Sequence, residues 1–224
     1  MNIQNRVNNI RGIIFDFDFT LADSSKGVLE CVNYALHELG FRKFPEKKIS
    51  KTIGLTLEHT LTKLVGEEHR DKTEKFKHFF IKKADEVMAD LTLLFTETPK
   101  VIKKLYDKGF KLGVVSTKFR YRIETILRRE NLLNFFEVIV GGEDVSILKP
   151  NPSGLLLAVK KLNLRSSEVI YIGDSTIDAE TAKRASISFI AVLSGVTPRD
   201  AFSGSQVRDF IKNISELPHI LDIK

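Results

Sequence analysis

The sequence predicts an α/β fold: a doubly wound, Rossmann-like parallel sheet that carries an inserted all-helical domain. The first observation is the run at residues 13–15, which is apolar on both faces, as in a buried parallel strand. The second is the alternation of strands and helices from Gly109 onward, which indicates a parallel sheet covered on both sides. The third is the stretch 24–94, which contains no convincing strand.

The stretch after the first strand is predicted to be a bundle of helices, because its apolar residues recur at helical spacing and its segments stop at glycines. The expected helices run from a cap at Ser24 or Ser25 to Gly40, and then over residues 46–53, 57–65 and 68–91. We therefore predict two domains. An α/β core comprises residues 1–22 and 95–224, and a helical cap placed over the site comprises residues 23–94.

The rest of the chain alternates regularly between the two element types. Strands are expected at 110–115, 137–140, 169–172 and 188–193, and helices at 99–108, 121–129, 152–162 and 176–185. A further short strand near Phe210 and a terminal helix are expected in the tail.

Polar residues follow the ends of the predicted strands. They are Asp16 and Asp18 after the first strand, Ser116 and Thr117 after the second, Lys149 at a helix start after the third, and Asp174 and Asp178 after the fourth. Ligands of open α/β sheets collect beyond the carboxyl ends of the strands, so we expect these residues to meet at one edge. Carboxylates from two strands suit Mg²⁺, and a lysine with hydroxyl and amide groups suits a phosphoryl group. The sequence thus predicts metal-assisted phosphoryl transfer through an enzyme-bound aspartyl phosphate.

Each of these residues alone has an ordinary structural explanation. Lys149 is flanked by a proline and is compatible with a surface position, Ser116 with the cap of the next helix, and Asp178 with a charge that stabilises a helix N-terminus. Their joint occurrence at successive strand ends favours a catalytic site.

Composition narrows the class of protein. The single cysteine, Cys31, excludes an intramolecular disulfide, and no apolar run is long enough to span a bilayer. Residues 1–9 are too polar for a secretory signal, so a cytoplasmic location and no membrane partner are expected. The net charge of +6 is concentrated between Arg42 and Lys83, which indicates a solvated helical face or an attractor for an anionic ligand. No nucleic-acid motif is present, so a small phosphorylated metabolite is the expected partner and the chain is expected to be a monomer or homodimer.

Four motifs together resemble the haloacid dehalogenase superfamily, in its helical-cap branch. They are the Asp-x-Asp-x-Thr segment from Asp16 to Thr20, Ser116 after an apolar strand, Lys149, and the Gly-Asp-x-x-x-Asp segment from Gly173 to Asp178. All four motifs occur in the same order as in that family, and the resemblance covers essentially the whole chain. Phosphoglycolate phosphatase-like and pyrophosphatase-like enzymes look most similar, since their Asp-Ser after the first motif resembles Asp23-Ser24.

The resemblance implies a role for each matching residue. Asp16 would be the nucleophile and Asp18 the acid and base, while Ser116, Thr117 and Lys149 would hold the phosphoryl group. Asp16, the main-chain carbonyl of Asp18, and Asp174 would bind Mg²⁺, with Asp178 supporting that shell. Gly54, Leu55 and Thr56 in the cap are candidates for substrate specificity.

Two residues depart from the family pattern. Phe19 stands where relatives usually carry glycine, and its ring is expected to narrow the mouth beside the nucleophile or to pack towards the cap. Thr117 stands where many relatives have asparagine.

The second aspartate, Asp18, favours hydrolysis of a phosphate ester, because dehalogenases and phosphonate-cleaving relatives generally lack it. The expected enzyme is a Mg²⁺-dependent phosphatase for a small, phosphoglycolate-like monoester. A phosphomutase of the β-phosphoglucomutase type, an inorganic pyrophosphatase and a catalytically silent phosphate-binding module stay open as alternatives.

Overall fold

The computed structural model describes residues 9–222 and contains a six-stranded, entirely parallel sheet. Its strands are β1 (Gly12–Phe15), β4 (Lys111–Val115), β5 (Val138–Val140), β6 (Val169–Gly173), β7 (Ser188–Val192) and β8 (Asp209–Ile211), in the order β5-β4-β1-β6-β7-β8. Strands β2 (Ala22–Asp23) and β3 (Leu93–Leu94) form a separate two-stranded sheet. The predicted doubly wound parallel sheet is confirmed.

Strand β1 lies at the point where the strand order reverses. The chain passes from β1 to β4 and β5 on one side, and then returns to β6, β7 and β8 on the other. Ile13, Ile14 and Phe15 have no exposed surface, so both faces of β1 are covered, as the apolar run predicts. Ligands of open sheets bind at such a reversal point, so a ligand site is expected at the carboxyl ends of β1 and β6.

The helices of the α/β part follow the predicted alternation. They are α5 (Thr98–Asp107), α6 (Arg120–Arg129), α7 (Ser153–Lys161), α8 (Thr176–Arg184) and α9 (Leu217–Ile220). Helices α7 and α8 pack on one face of the sheet, where Leu155 and Ala182 join a continuous core with Ile14, Tyr171 and Phe189. Burial of this core supplies the main stabilisation and fixes the strand ends that carry the site.

The chain divides into two compact units, one of Met1–Ala22 with Leu94–Lys224 and the other of Asp23–Leu93. The second, which we call the helical unit, contains α1 (Ser25–Glu38), α2 (Glu46–Ile49), α3 (Leu57–Val65) and α4 (Thr73–Leu91). Helices α1 and α4 pack closely, because Gly27 leaves room for Met88: a Cβ at Gly27 would lie 2.8 Å from the Met88 sulfur. Cys31 is buried in this core, as a small apolar residue would be.

Three local predictions were wrong in detail. The segment 46–53 is an α-helix only to Ile49 and then a 3₁₀ turn, and the long helix begins at Thr73 rather than at residue 68. The two-residue strand Leu93–Leu94 lies in a stretch predicted to lack strands, since two residues are too short to show a periodicity. Within residues 9–222, no helix combines the length and the apolar character needed to cross a membrane.

Candidate active site

The strand register brings the first and fourth motifs together. Phe15 pairs with Ile172 of β6 on one side and with Val114 of β4 on the other. The next amide along, that of Asp16, donates a hydrogen bond to the carbonyl of Ile172 at 2.8 Å. Asp16, Ser116 and Asp174 therefore leave the same edge of the sheet, as expected from parallel strands.

Lys149 lies at the centre of a buried network. Its Nζ is 3.0 Å from Asp16 Oδ1 and 2.6 Å from Asp178 Oδ1, and it donates to the hydroxyl of Tyr171 at 3.1 Å. The Tyr171 hydroxyl lies 2.9 Å from Asp178 Oδ1 and 3.2 Å from the carbonyl of Val115, either of which can accept its proton. Burial alone would lower the pKa of Lys149, but the charges of Asp16 and Asp178 outweigh it and raise that pKa. Lys149 is thus a buried, permanently charged group and not a surface residue.

Three carboxylates converge beside this lysine. Asp16, Asp174 and Asp178 are buried and each offers an oxygen, with these oxygens lying within 4.8 Å of one another. Burial, together with the charges of Asp178 and Asp18, raises the pKa of Asp16 to about 7 against the lowering effect of Lys149. Burial also raises the pKa of Asp174 well above its usual value, with contributions from Asp178 and Asp16. Such a cluster of hard oxygen donors with unfavourable mutual repulsion fits a divalent cation.

The orientation of Asp178 follows from the start of α8. Ser175 Oγ donates to Asp178 Oδ2 at 2.5 Å, and the Asp178 amide donates back to Ser175 Oγ at 3.2 Å. This capping box begins the helix and at the same time directs the other carboxylate oxygen towards Lys149. The helix-charge explanation of Asp178 and its place in the carboxylate cluster are therefore compatible.

Asp18 forms an ion pair with a second lysine. Its Oδ1 lies 3.1 Å from Nζ of Lys118, and both side chains are buried. Asp18 is not one of the three clustered carboxylates described above; the metal contact expected for it runs through its main-chain carbonyl and stays a prediction.

The two hydroxyl residues after β4 occupy different environments. Ser116 is buried, its amide donates to the carbonyl of Val140 at 3.0 Å, and its Oγ accepts from the amide of Lys118 at 3.3 Å. Thr117 is half-buried. Ser116 is not the side-chain cap of α6, whose N-cap residue is Phe119, so that alternative explanation is wrong.

Residues 13–192 match the haloacid dehalogenase-like hydrolase family. The chain belongs to this family. A phosphoglycolate phosphatase of Aquifex aeolicus is 31% identical to the hydrolase over 214 positions, covering 95% of this chain and 97% of that protein. A phosphoglycolate phosphatase of Escherichia coli is 27% identical over 234 positions, covering 95% and 93%. The crystal structure of a haloacid dehalogenase-like hydrolase from Bacteroides fragilis is similar with a TM-score of 0.89 and 40% identity, over 93% of this chain and 99% of that one.

Phe19 of the hydrolase adopts a backbone conformation that favours glycine. Its φ is +60°, its amide donates to the carbonyl of Ala22 at 2.7 Å, and its own carbonyl accepts from Ser194 Oγ at 2.5 Å. The side chain is buried, with 7% of its surface exposed. The turn therefore keeps the left-handed geometry of a glycine position, and burial of the ring offsets its conformational cost.

The candidate specificity residues Gly54, Leu55 and Thr56 belong to the helical unit. Gly54 has φ +86° and no atom within 4 Å of a Cβ placed on it, while Thr56 Oγ1 accepts from the amide of His59 at 3.2 Å and caps α3. These contacts give Gly54 and Thr56 structural roles in a turn and a helix start, and their role in specificity stays a prediction.

Sequence reasoning missed three residues of the site: Lys118, Tyr171 and Ser175. Lys118 could have been found, because it follows Ser116 and Thr117 in the same strand-end loop. Tyr171 has an aromatic ring that suits a buried strand, and nothing in its sequence position shows that its hydroxyl reaches Lys149. Ser175 precedes Asp178 by three residues, and this spacing is that of a capping box.

The pKa of Asp16 predicts how pH changes the stability of the metal-free hydrolase. Because this pKa is raised from 3.8 to about 7, the folded state holds a proton in that interval that the unfolded state has lost. The stability conferred by this protonation is complete below the unfolded pKa and is lost as pH rises through the folded pKa.

We therefore expect the melting temperature of the wild type, relative to that of Asp16→Asn, to fall between about pH 4 and pH 7 in the presence of a chelator. Glu168 has a pKa lowered to about 2 by hydrogen bonds from Arg165, so it titrates below this interval. A difference between the two proteins that is constant, or that grows with pH in favour of the wild type, would contradict the shift.

Proposed function

We propose that this hydrolase is a Mg²⁺-dependent phosphatase that cleaves a small, phosphoglycolate-like phosphate monoester through an aspartyl phosphate on Asp16. The observation that carries the proposal is the position of the Asp16 carboxylate, which lies beside a fixed ammonium group and within a cluster of three carboxylates. Under this proposal the nucleophile, a phosphate-binding ammonium group and the metal ligands lie side by side. The names of the relatives from Aquifex aeolicus and Escherichia coli support the substrate class.

The charge of the cluster supports a divalent cation. Asp16, Asp174 and Asp178 together with Lys149 carry a formal net charge of −2, and the pair of Asp18 with Lys118 adds none. Burial makes such an excess of negative charge costly unless a cation or protons offset it. We propose that Asp16, the Asp18 carbonyl and Asp174 bind Mg²⁺ with Asp178 in support; when bound, the ion favours ionised Asp16 and offsets phosphoryl charge.

The first half-reaction uses Asp16 as nucleophile and Asp18 as acid. An Asp16 oxygen attacks phosphorus, the bond from phosphorus to the leaving oxygen breaks, and Asp18 gives that oxygen a proton. Lys149, Ser116 and Thr117 are proposed to hold the phosphoryl oxygens during transfer.

The second half-reaction restores the enzyme. Asp18 takes a proton from a water molecule that attacks phosphorus, the acyl phosphate bond breaks, and inorganic phosphate leaves with Asp16 free again. The helical unit is proposed to act as a cap whose residues Gly54, Leu55 and Thr56 contribute to specificity and to exclusion of bulk water.

The test is phosphate release from 2-phosphoglycolate, pyrophosphate, sugar phosphates and nucleotides, with and without Mg²⁺. We expect Mg²⁺-dependent release that is fastest with a small monoester. Preference for pyrophosphate would replace the substrate class, an isomeric sugar phosphate without free phosphate would show a mutase, and no turnover on any of them would favour a silent phosphate-binding module.

Gly195 gives a specific prediction for the metal. A Cβ at this position would overlap Oδ2 of Asp174, so Gly195→Ala must displace that carboxylate. We expect the Mg²⁺ concentration for half-maximal activity to rise by about 10-fold or more, as when the support of a metal ligand is lost. The matched control is Gly154→Ala in α7, where a Cβ finds its nearest atom at an ordinary 3.4 Å. An unchanged Mg²⁺ requirement in folded Gly195→Ala would argue against Asp174 as a ligand.

A further inference from the structure

Lys118 is a buried lysine that none of the four family motifs includes. Its Nζ lies 3.1 Å from Asp18 Oδ1, and the exposed fractions of the two side chains are 4% and 9%. Removing two charges from water costs more than a well-packed apolar pair would, so stability alone gives little reason for such a pair. The contact joins the lysine to the aspartate proposed as the acid and base.

The backbone that carries Lys118 is held on both sides. Its amide donates to Ser116 Oγ at 3.3 Å, and its carbonyl accepts from the amide of Gly142 at 3.1 Å. Gly142 has no space for a side chain, because a Cβ there would lie 2.5 Å from the carbonyl oxygen of Thr117. The Lys118 side chain therefore extends from a backbone position that is fixed at the strand edge.

Asp18 needs such a partner because its surroundings are negative. Asp16 and Asp18 are both buried and stand two residues apart in the same strand-end turn, so their negative charges repel each other. Without a cation at its side, the Asp18 carboxylate would be driven to rotate away from Asp16, and away from the phosphorus that Asp16 attacks.

We propose that Lys118 is a positioning residue that holds the Asp18 carboxylate where it protonates the leaving group. The inference rests on the proposed function, in which Asp18 is the acid. Lys118 acts through Asp18 and not on the substrate, so its loss affects substrates according to how strongly their leaving groups require a proton.

The experiment compares Lys118→Met with the wild type on two substrates with Mg²⁺ present. One is 4-nitrophenyl phosphate, whose leaving group departs without a proton, and the other is the best alkyl phosphate from the substrate panel. The measured quantity is kcat/KM, which reports the steps up to loss of the leaving group and not the later attack of water. We expect the alkyl value to fall by about 10²-fold, the effect of a misplaced catalytic group, and the aryl value to change by less than about 3-fold.

The controls separate positioning from packing. The control variant is Lys111→Met, at the other end of β4. It removes a half-buried lysine that donates to the carbonyl of Leu162 at 2.8 Å and pairs with Glu137 at 3.4 Å. The ratio of alkyl to aryl kcat/KM of this variant should equal that of the wild type. If Lys118→Met does not fold, by thermal melting, Lys118→Gln is measured in the same way.

A double-mutant cycle with Asp18→Asn gives the decisive outcome. If Lys118 acts through Asp18, adding Lys118→Met to Asp18→Asn leaves the alkyl-to-aryl ratio unchanged. Equal losses on both substrates in the single variant, or a further selective loss of alkyl activity in the double variant, would overturn the inference. A wild type without Mg²⁺-dependent hydrolysis would instead overturn the proposed function, so the two failures are distinguishable.

Discussion

Asp16→Asn is expected to reduce phosphate release by about 10⁴-fold or more, because an amide at this position cannot form the acyl phosphate. The substitution keeps the size of the side chain. It removes one negative charge from a cluster in which three carboxylates face a single ammonium group. Burial and neighbouring carboxylates already raise the pKa of Asp16 to about 7, so a neutral side chain is well tolerated there. We therefore expect a protein that melts at or above the wild-type temperature at neutral pH without metal.

The measurement is the initial rate of phosphate release with Mg²⁺, together with a thermal melt of each protein. Asp107→Asn is the matched control, because it makes the same chemical change at an exposed position of the last turn of α5. Its rate should equal that of the wild type. Activity of Asp16→Asn within about 10-fold of wild type would refute Asp16 as the nucleophile.

The sequence carried enough information to predict the parallel sheet and the edge of that sheet at which the candidate site lies. The strands that precede Asp16, Ser116 and Asp174 were recognisable because each is an apolar run followed directly by polar residues. Parallel strands end at one edge, so convergence followed from topology without any side-chain geometry. The position of Lys149 beside Asp16 could be expected from the family resemblance, and the structure places their atoms 3.0 Å apart.

Other parts of the site depend on distances that spacing does not encode. Tyr171 lies within β6, 22 residues from Lys149 in the chain, and its hydroxyl reaches Nζ only because β6 and the loop before α7 are brought together. The pairing of Lys118 with Asp18 likewise joins two neighbouring strand ends. Strands as short as Leu93–Leu94 have no local signal, since their pairing and not their sequence defines them.

Lys149→Met is expected to lower both activity and stability, because Lys149 forms ion pairs with two buried carboxylates. Its Nζ lies 3.0 Å from Asp16 and 2.6 Å from Asp178, so its loss leaves the cluster with three carboxylates and no ammonium group. Breaking a buried ion pair by removal of one partner costs about 3–5 kcal/mol of stability, and loss of a charge that stabilises the transferring group costs about 10²–10³-fold in kcat. Denaturant unfolding and phosphate release measure the two effects.

The pH dependence of this loss separates charge from packing. At low pH the carboxyl groups of Asp16 and Asp174 are protonated, since burial raises the pKa of both. Loss of the ammonium group then costs less stability, because fewer negative charges are left without a partner. We therefore expect the stability difference between wild type and Lys149→Met in metal-free protein to shrink as pH falls from about 7 towards about 4. Lys111→Met, whose lysine pairs with the half-exposed Glu137 at 3.4 Å, should show a smaller loss at neutral pH. A difference for Lys149→Met that is the same at both pH values would show that the lysine contributes by packing, and that its charge is not what holds the carboxylate cluster together.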